Sequence, residues 1–295
     1  MPRFVLTCCS TADRPKAFFD AREIPYACFH WSEGGVDHLD DLYQSTTPEA
    51  FYAAISAGAT PTTSQVSAGE YVELWEPVVS AGSDVLHVSL SSGLSGAYNA
   101  ACVAAEQVMG AHPGRRVEVV DSLGASSGYG MLVDYLADLR DEGATLDEAR
   151  EWALAHRLRV HHWFFSTDLT SYVRGGRVSR VSGFVGTALR ICPVLNMNSE
   201  GKLIPRDKIR TKAKAERDVV ARMLQHAEGG AAYRGKCALS HSACRADAEA
   251  VRALVEAQFP ALAGAVTIND IGTVIGSHTG PGTVALFFMG DERGL

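Results

Sequence analysis

Residues 84–120 read DVLHVSLSSGLSGAYNAACVAAEQVMGAHPGRRVEVV. Asp84 to Leu90 is a short, β-branched apolar run of the kind that forms a buried strand, and the Ser/Gly-rich turn after it opens an Ala-rich stretch, Ala97 to Met109, with helical character. Arg116 to Val120 then returns as a second strand. Strand, helix and strand in one such stretch form a βαβ unit, whose two strands run parallel through a right-handed crossover. Outward from it the alternation continues. Arg3 to Thr7 reads as a first strand, and Thr47-Pro48-Glu49 opens a helix to Ala57. Ala59 to Gln65 is a polar loop, and Ser67-Ala68-Gly69-Glu70 is a capping box for the helix bearing Val72, Leu74, Val78 and Val79. Gly124 to Arg140 is a further helix, and Thr145 with Glu148 caps the next, to about His156. The class expected is α/β, with a mainly parallel sheet covered by helices on both faces and ligands beyond the carboxyl ends of its strands.

From about Val160 the rhythm changes. Val160 to Phe165 reads as a strand, followed by a short helix ending at Gly175-Gly176, a helix over Phe184 to Arg190, and an extended Cys192 to Asn196. Ser199-Glu200-Gly201-Lys202 reads as a hairpin turn, and Lys212 to His226 as a long charged helix. Strands at Cys237 to His241 and Ala265 to Asn269 flank a helix over Ala246 to Gln258. This pattern suggests a second, α+β domain, giving expected domains 1–160 and 161–295.

Composition narrows the function. Hydrophobic residues at 46% and charged residues at 21% are globular values, and the net charge of -7 argues against a nucleic-acid footprint. The N-terminus lacks the apolar run of a signal peptide and no stretch reaches the ~18 apolar residues of a membrane span, so the seven cysteines read as reduced thiols of a cytoplasmic protein. His161-His162 face opposite sides of a strand, and His241-x-x-Cys244 has no companion ligands, so no metal is expected. Neither the dinucleotide-binding nor the P-loop glycine pattern occurs, so no cofactor is expected either.

Three polar loops remain. Thr62-Thr63-Ser64-Gln65-Val66-Ser67 offers four hydroxyls before a helix start, suited to an anion or simply to a solvated, capped turn. Ser91-Ser92-Gly93-Leu94-Ser95-Gly96 puts Ser95 at a helix mouth, where hydroxyl, backbone N–H groups and the positive helix end converge, and its glycines allow close backbone approach. Gly276-Ser277-His278-Thr279-Gly280-Pro281-Gly282 sets an imidazole on a stiffened loop. A basic turn, Arg174-Gly175-Gly176-Arg177, and the run Arg206 to Lys214 add guanidiniums suited to carboxylate or phosphate.

At these loops the sequence resembles the DegV family throughout its length. The matching segments are Thr63-Ser64-Gln65 through Gly69-Glu70, Leu90 through Tyr98, Val120-Asp121-Ser122, Gly175-Gly176-Arg177, Gly183 to Pro193, Arg210-Thr211-Lys212, and Ile275 through Gly282. The resemblance implies a two-domain protein that encloses a long-chain fatty acid such as palmitate in a lipid tunnel between its domains, without chemistry of its own. It implies that Thr63, Ser95 and His278 hydrogen-bond the carboxylate. It further implies that a separate fatty-acid kinase subunit could phosphorylate the held lipid, with Arg177 and Arg210 as surface residues for that encounter; transient membrane contact is a further expectation for such a lipid carrier. One position departs: the family usually begins Asp-Ser-Thr-x-Asp after its first strand, and here the run is Cys9-Ser10-Thr11-Ala12-Asp13.

A competing reading starts from the same serine. Gly93-Leu94-Ser95-Gly96-Ala97 is a near miss to a nucleophile elbow, and with Asp270 and His278 downstream the order Ser, Asp, His would suit a lipase-like hydrolase.

Overall fold

The computed structural model describes residues 4–179 and 191–295. The helix expected over Phe184 to Arg190 lies outside them.

The βαβ reading of residues 84–120 is borne out. Strand β1 (Phe4–Cys9) lies at the centre of a wholly parallel sheet with β2 (Tyr26–Ala27), β6 (Asp84–Ser89) and β7 (Val117–Asp121), in the order β2-β1-β6-β7. Helix α1 (Lys16–Ala21) lies in the β1–β2 connection. Helices α3 (Ala68–Ser80) and α4 (Ala97–Ala111) cover the face bearing Thr7 and His87, where Trp75 Nε1 donates to Thr7 Oγ1 at 3.2 Å. Helices α5 (Ser126–Asp141) and α6 (Leu146–His156) lie on the other. The caps are local and were readable: Thr47 Oγ1 accepts from Ala50 N at the start of α2 (Pro48–Ser56). Ser67 with Glu70, and Thr145 with Glu148, form complete capping boxes on α3 and α6.

The residues before α3 differ from expectation. Ala59 to Gln65 is not all loop: β5 (Thr62–Ser64) pairs antiparallel with β3 (His30–Glu33), which also forms a hairpin with β4 (Val36–Leu39). Thr63 therefore sits on a strand, opposite Trp31, and is held by ladder bonds rather than by a helix start.

The second sheet is mixed, in the order β10-β9-β8-β13-β11-β12, with only β11–β12 parallel. Its strands are β8 (Val160–Ser166), β9 (Ile191–Met197), β10 (Leu203–Arg210), β11 (Cys237–His241), β12 (Thr267–Asp270) and β13 (Thr283–Met289). Short α7 (Thr170–Arg174) follows β8, and α8 (Lys212–His226) with α9 (Arg245–Gln258) cover one face. The last helix, α10 (Thr273–Thr279), leaves this sheet and packs on α2, β3 and α7.

Helix α5 is a layer shared by both sheets, packing on β1 on one side and on β8, β11 and β13 on the other. Residues 126–133 are all buried, which a one-sided amphipathic helix would not show. Two glycines make this fit. A Cβ on Gly128 would strike His162 and Phe287 of the second sheet, whereas one on Gly130 would strike the Ala12 carbonyl and Arg14 in the segment that follows β1. Two residues apart on a helix they point in nearly opposite directions. In an exposed helix Gly→Ala gains roughly 0.5–1 kcal/mol. Gly128→Ala should instead destabilise by about 1–3 kcal/mol through overpacking, read by chemical denaturation. A gain in stability would show that the two sheets do not need this close approach.

Candidate functional site

The second sheet alternates, and its period of two builds the site. Along β13, Thr283, Ala285 and Phe287 face a cavity of about 240 Å³, and opposite them on β8 so do Phe164 and His162. Met197, Leu203, Tyr172 and Phe29 extend the wall. Leu90 and Leu94 close it from the β6–α4 loop, and Ile271, Val274 and Ile275 from α10 and its approach. The lining is mainly aliphatic and aromatic, with a short polar set among it.

All three hydroxyl- or imidazole-bearing residues singled out from sequence line this one cavity: Thr63, Ser95 and His278. Thr63 Oγ1 and His278 Nε2 are 2.8 Å apart, in hydrogen-bond contact across 215 positions of sequence. Ser95 Oγ accepts from Ala97 N at 3.2 Å, so its hydroxyl caps the first turn of α4 and its proton stays available. His278 is not on a loop as expected. It sits in the last turn of α10, a helix whose N-terminus is bonded by two carboxylates from far upstream. Asp40 Oδ1 accepts from Thr273 N at 3.2 Å and Thr273 Oγ1 at 2.8 Å, while Asp13 Oδ1 accepts from Gly272 N at 2.9 Å. A cap supplied from another part of the chain leaves no local signature.

Burial, reinforced by the guanidiniums of Arg177 and Arg174, pulls the His278 imidazole down to about 4. The ring is therefore neutral at neutral pH and able either to donate or to accept at Nε2. Its Nδ1 has no hydrogen-bond partner among the described residues. The backbone of Gly175 covers it so closely that a Cβ there would collide with Nδ1.

Arg177 departs from expectation. It is half-buried, lines the cavity, and donates to the carbonyls of Gly175 and of Leu94, the latter at 3.1 Å. It thus joins the turn after α7 to the Ser95 loop, rather than standing free on the surface. Arg210 is exposed, at the end of β10 on the sheet edge. The Gly175-Gly176-Arg177 turn is visible in the sequence, but the direction of its guanidinium depends on contacts with Leu94, 83 residues upstream.

The hydrolase arrangement is not assembled. Asp270 lies 3.5 Å from His241 Nε2, and the nitrogen of His278 that a triad carboxylate would orient is the one covered by Gly175. The thiol that replaces the usual first aspartate is neutral: Cys9 is fully buried, 3.2 Å from Tyr71 Oη, and burial pushes it up to about 12. Tyr129 Oη accepts from Cys9 N and donates to its carbonyl, so the strand end is held without a carboxylate.

The fold and site together define an α/β protein built on a parallel and a mixed sheet, with an apolar cavity and a small hydroxyl–imidazole–guanidinium group within it. The chain belongs to the DegV family, a family of uncharacterised proteins whose profile matches residues 6–291. It is 32% identical over 295 residues to the DegV domain-containing protein CPE0026 of Clostridium perfringens, covering 99% of each chain. Among solved structures it resembles the DegV family protein of Thermus thermophilus described for its fatty acid binding, with a TM-score of 0.84 and 28% identity over 98% of this chain and 100% of that one. A DegV lipid binding protein from Thermotoga maritima superposes with a TM-score of 0.83 and 26% identity, over 99% of both chains. No helix among the described residues is long and apolar enough to cross a membrane.

Proposed function

We propose that this protein binds one long-chain fatty acid, with the acyl chain in the cavity and the carboxylate hydrogen-bonded by Thr63, Ser95 and His278. The observation that carries the reading is the meeting of Thr63 and His278 inside an apolar cavity that Ser95 also lines. Affinity for such a ligand comes mostly from the chain, at about 0.8 kcal/mol per buried CH₂. The head group needs only a few donors, because burying a full counter-charge is costly. Two hydroxyls and a neutral imidazole meet that need, with the half-buried Arg177 supplying longer-range attraction. The cavity acts as the lipid tunnel, with residues 1–160 and 161–295 as its two walls. The lipid-binding descriptions of the Thermus and Thermotoga relatives support the same ligand class.

The protein performs no reaction on the lipid itself. It presents the carboxylate to a separate kinase subunit for acyl-phosphate formation, with exposed Arg210 and the Arg177 turn at the encounter. Thr63→Val and Ser95→Ala should each weaken binding of palmitate by roughly 1.5–3 kcal/mol, the worth of a hydrogen bond to a charged acceptor. Thermal-shift titration with and without palmitate reads this directly. Undiminished stabilisation by lipid in both variants would remove these hydroxyls from the head-group site.

A further inference from the structure

The second sheet has another face, and its side chains lie away from the cavity. Beneath α8, β8 carries His161, α8 ends at His226, and Asp291 follows β13. Asp291 Oδ1 lies 2.9 Å from His161 Nε2 and 3.2 Å from His226 Nδ1, with Oδ2 3.3 Å from the latter. The three ligand atoms all fall within 4.8 Å of one another.

The rings are held in place by what surrounds them. His161 stacks between Phe288 and His226, with centroids 5.0 Å apart on each side, and Trp163 stacks on His226 at 5.9 Å. His161 Nε2 bonds the Asp291 carbonyl at 2.9 Å, a contact an ion would take over, and further backbone bonds hold the segment. Asp291 N donates to the His226 carbonyl at 3.1 Å, Gly290 N to the Arg159 carbonyl at 2.8 Å, and Ala227 bridges Gly290. His161 is only 3% exposed, whereas Asp291 is open to solvent, so the cluster has a dry wall and an entry path.

We infer that His161, His226 and Asp291 form a binding site for one divalent ion of the zinc class, with water in the remaining position. Two imidazoles and one carboxylate are a ligand set such ions favour, whereas calcium and magnesium demand mostly oxygen. With bonds of ~2.0–2.2 Å, tetrahedral geometry separates ligand atoms by about 3.3 Å, close to the spacings around Asp291. Neighbouring cations are already engaged. Arg159 pairs with Glu228 at 3.1 Å, and the Arg293 guanidinium is bound to backbone carbonyls, among them those of Leu123 and Asn198. The bound ion would clamp the end of α8 and the segment after β13 onto β8. The site shares no residue with the fatty-acid cavity, and its test is independent of that reading.

The full-length protein, stripped with chelator, is titrated with Zn²⁺ by calorimetry and with Co²⁺ by visible absorption. One equivalent is expected, with the intense visible bands of four-coordinate Co²⁺ that Zn²⁺ then abolishes. His226→Ala and Asp291→Asn, both on the accessible side, should each lower Zn²⁺ affinity at least ~100-fold, because even outer-shell losses cost 10–100-fold. Cys244→Ser should leave it unchanged. The site is overturned if Zn²⁺ does not bind, or if either ligand variant, shown to be folded by circular dichroism, retains wild-type affinity.

Discussion

Ala285→Trp should reduce palmitate affinity on the order of a hundredfold while leaving a folded protein. Ala285 sits in the middle of β13, between Phe164 on β8 and Ser240 on β11, and its methyl group faces the cavity. An indole there fills space that the acyl chain would otherwise use. Displacing on the order of four methylenes forfeits about 3 kcal/mol at ~0.8 kcal/mol each, close to a hundredfold in affinity. In a filled core the same substitution would cost ~1–3 kcal/mol through overpacking, but here the new ring has a void to enter. Competition with a fluorescent fatty acid separates the effects: an eight-carbon acid should lose much less than palmitate, because its chain stops short of the obstruction. Unchanged palmitate affinity in folded Ala285→Trp protein would show that the acyl chain lies elsewhere.

That experiment tests a feature the sequence concealed. The alternation of β13 puts Thr283, Ala285 and Phe287 on one face and Val284, Leu286 and Phe288 on the other, yet all six are buried. A strand buried on both faces reads as a continuous apolar run, and nothing in it says which face meets a void. The same limit applies to α5. Gly128 and Gly130 are visible in the sequence as residues unfavourable to a helix, but their use at two opposite sheets requires both sheets to be in place.

Signals carried by neighbouring residues were legible. The capping boxes at Ser67 and Thr145, the βαβ rhythm of residues 84–120 and the hairpin turn near Gly201 all depend on contacts within a few positions. Ser95 and Thr63 were found because hydroxyls and glycines crowd their segments. The strand under Thr63 has a weaker signal: Gly34-Gly35 between β3 and β4 is a recognisable hairpin turn, but the pairing of β5 with β3 spans some thirty residues. The glycines around His278 point to a loop because they are local, whereas the carboxyl groups bonded to its helix lie more than two hundred residues upstream.

Those carboxylates lead to the second large effect: Asp13→Ala should destabilise the protein by about 3 kcal/mol or more. Asp13 is fully enclosed, and its two oxygens accept from Gly272 N and from the Ser126 hydroxyl, joining α10 to α5. Alanine leaves the Gly272 N–H buried without a partner and the Ser126 hydroxyl with only Ser240 Oγ at 3.1 Å, at roughly 1–3 kcal/mol for the orphaned donor on top of the cavity left behind. Asp13→Asn keeps an acceptor for Gly272 N and should recover most of the loss. Acidity gives an independent readout. Burial raises the Asp13 carboxyl well above its ordinary value, with nearby Asp40 adding to the shift, so the folded state holds the proton more tightly than the unfolded chain. This contribution is fully present below the ordinary carboxylate pKa and is lost as pH rises through the raised one. Asp13→Asn should therefore lose less stability than the wild type over that rise, measured as denaturation midpoints at a series of pH values. Because α10 carries His278 at its other end, Asp13→Ala should also shift the His278 ring resonances in NMR spectra, and Asp13→Asn should largely restore them. Wild-type resonances and stability in Asp13→Ala would mean that α10 is positioned by Asp40 and its packing alone.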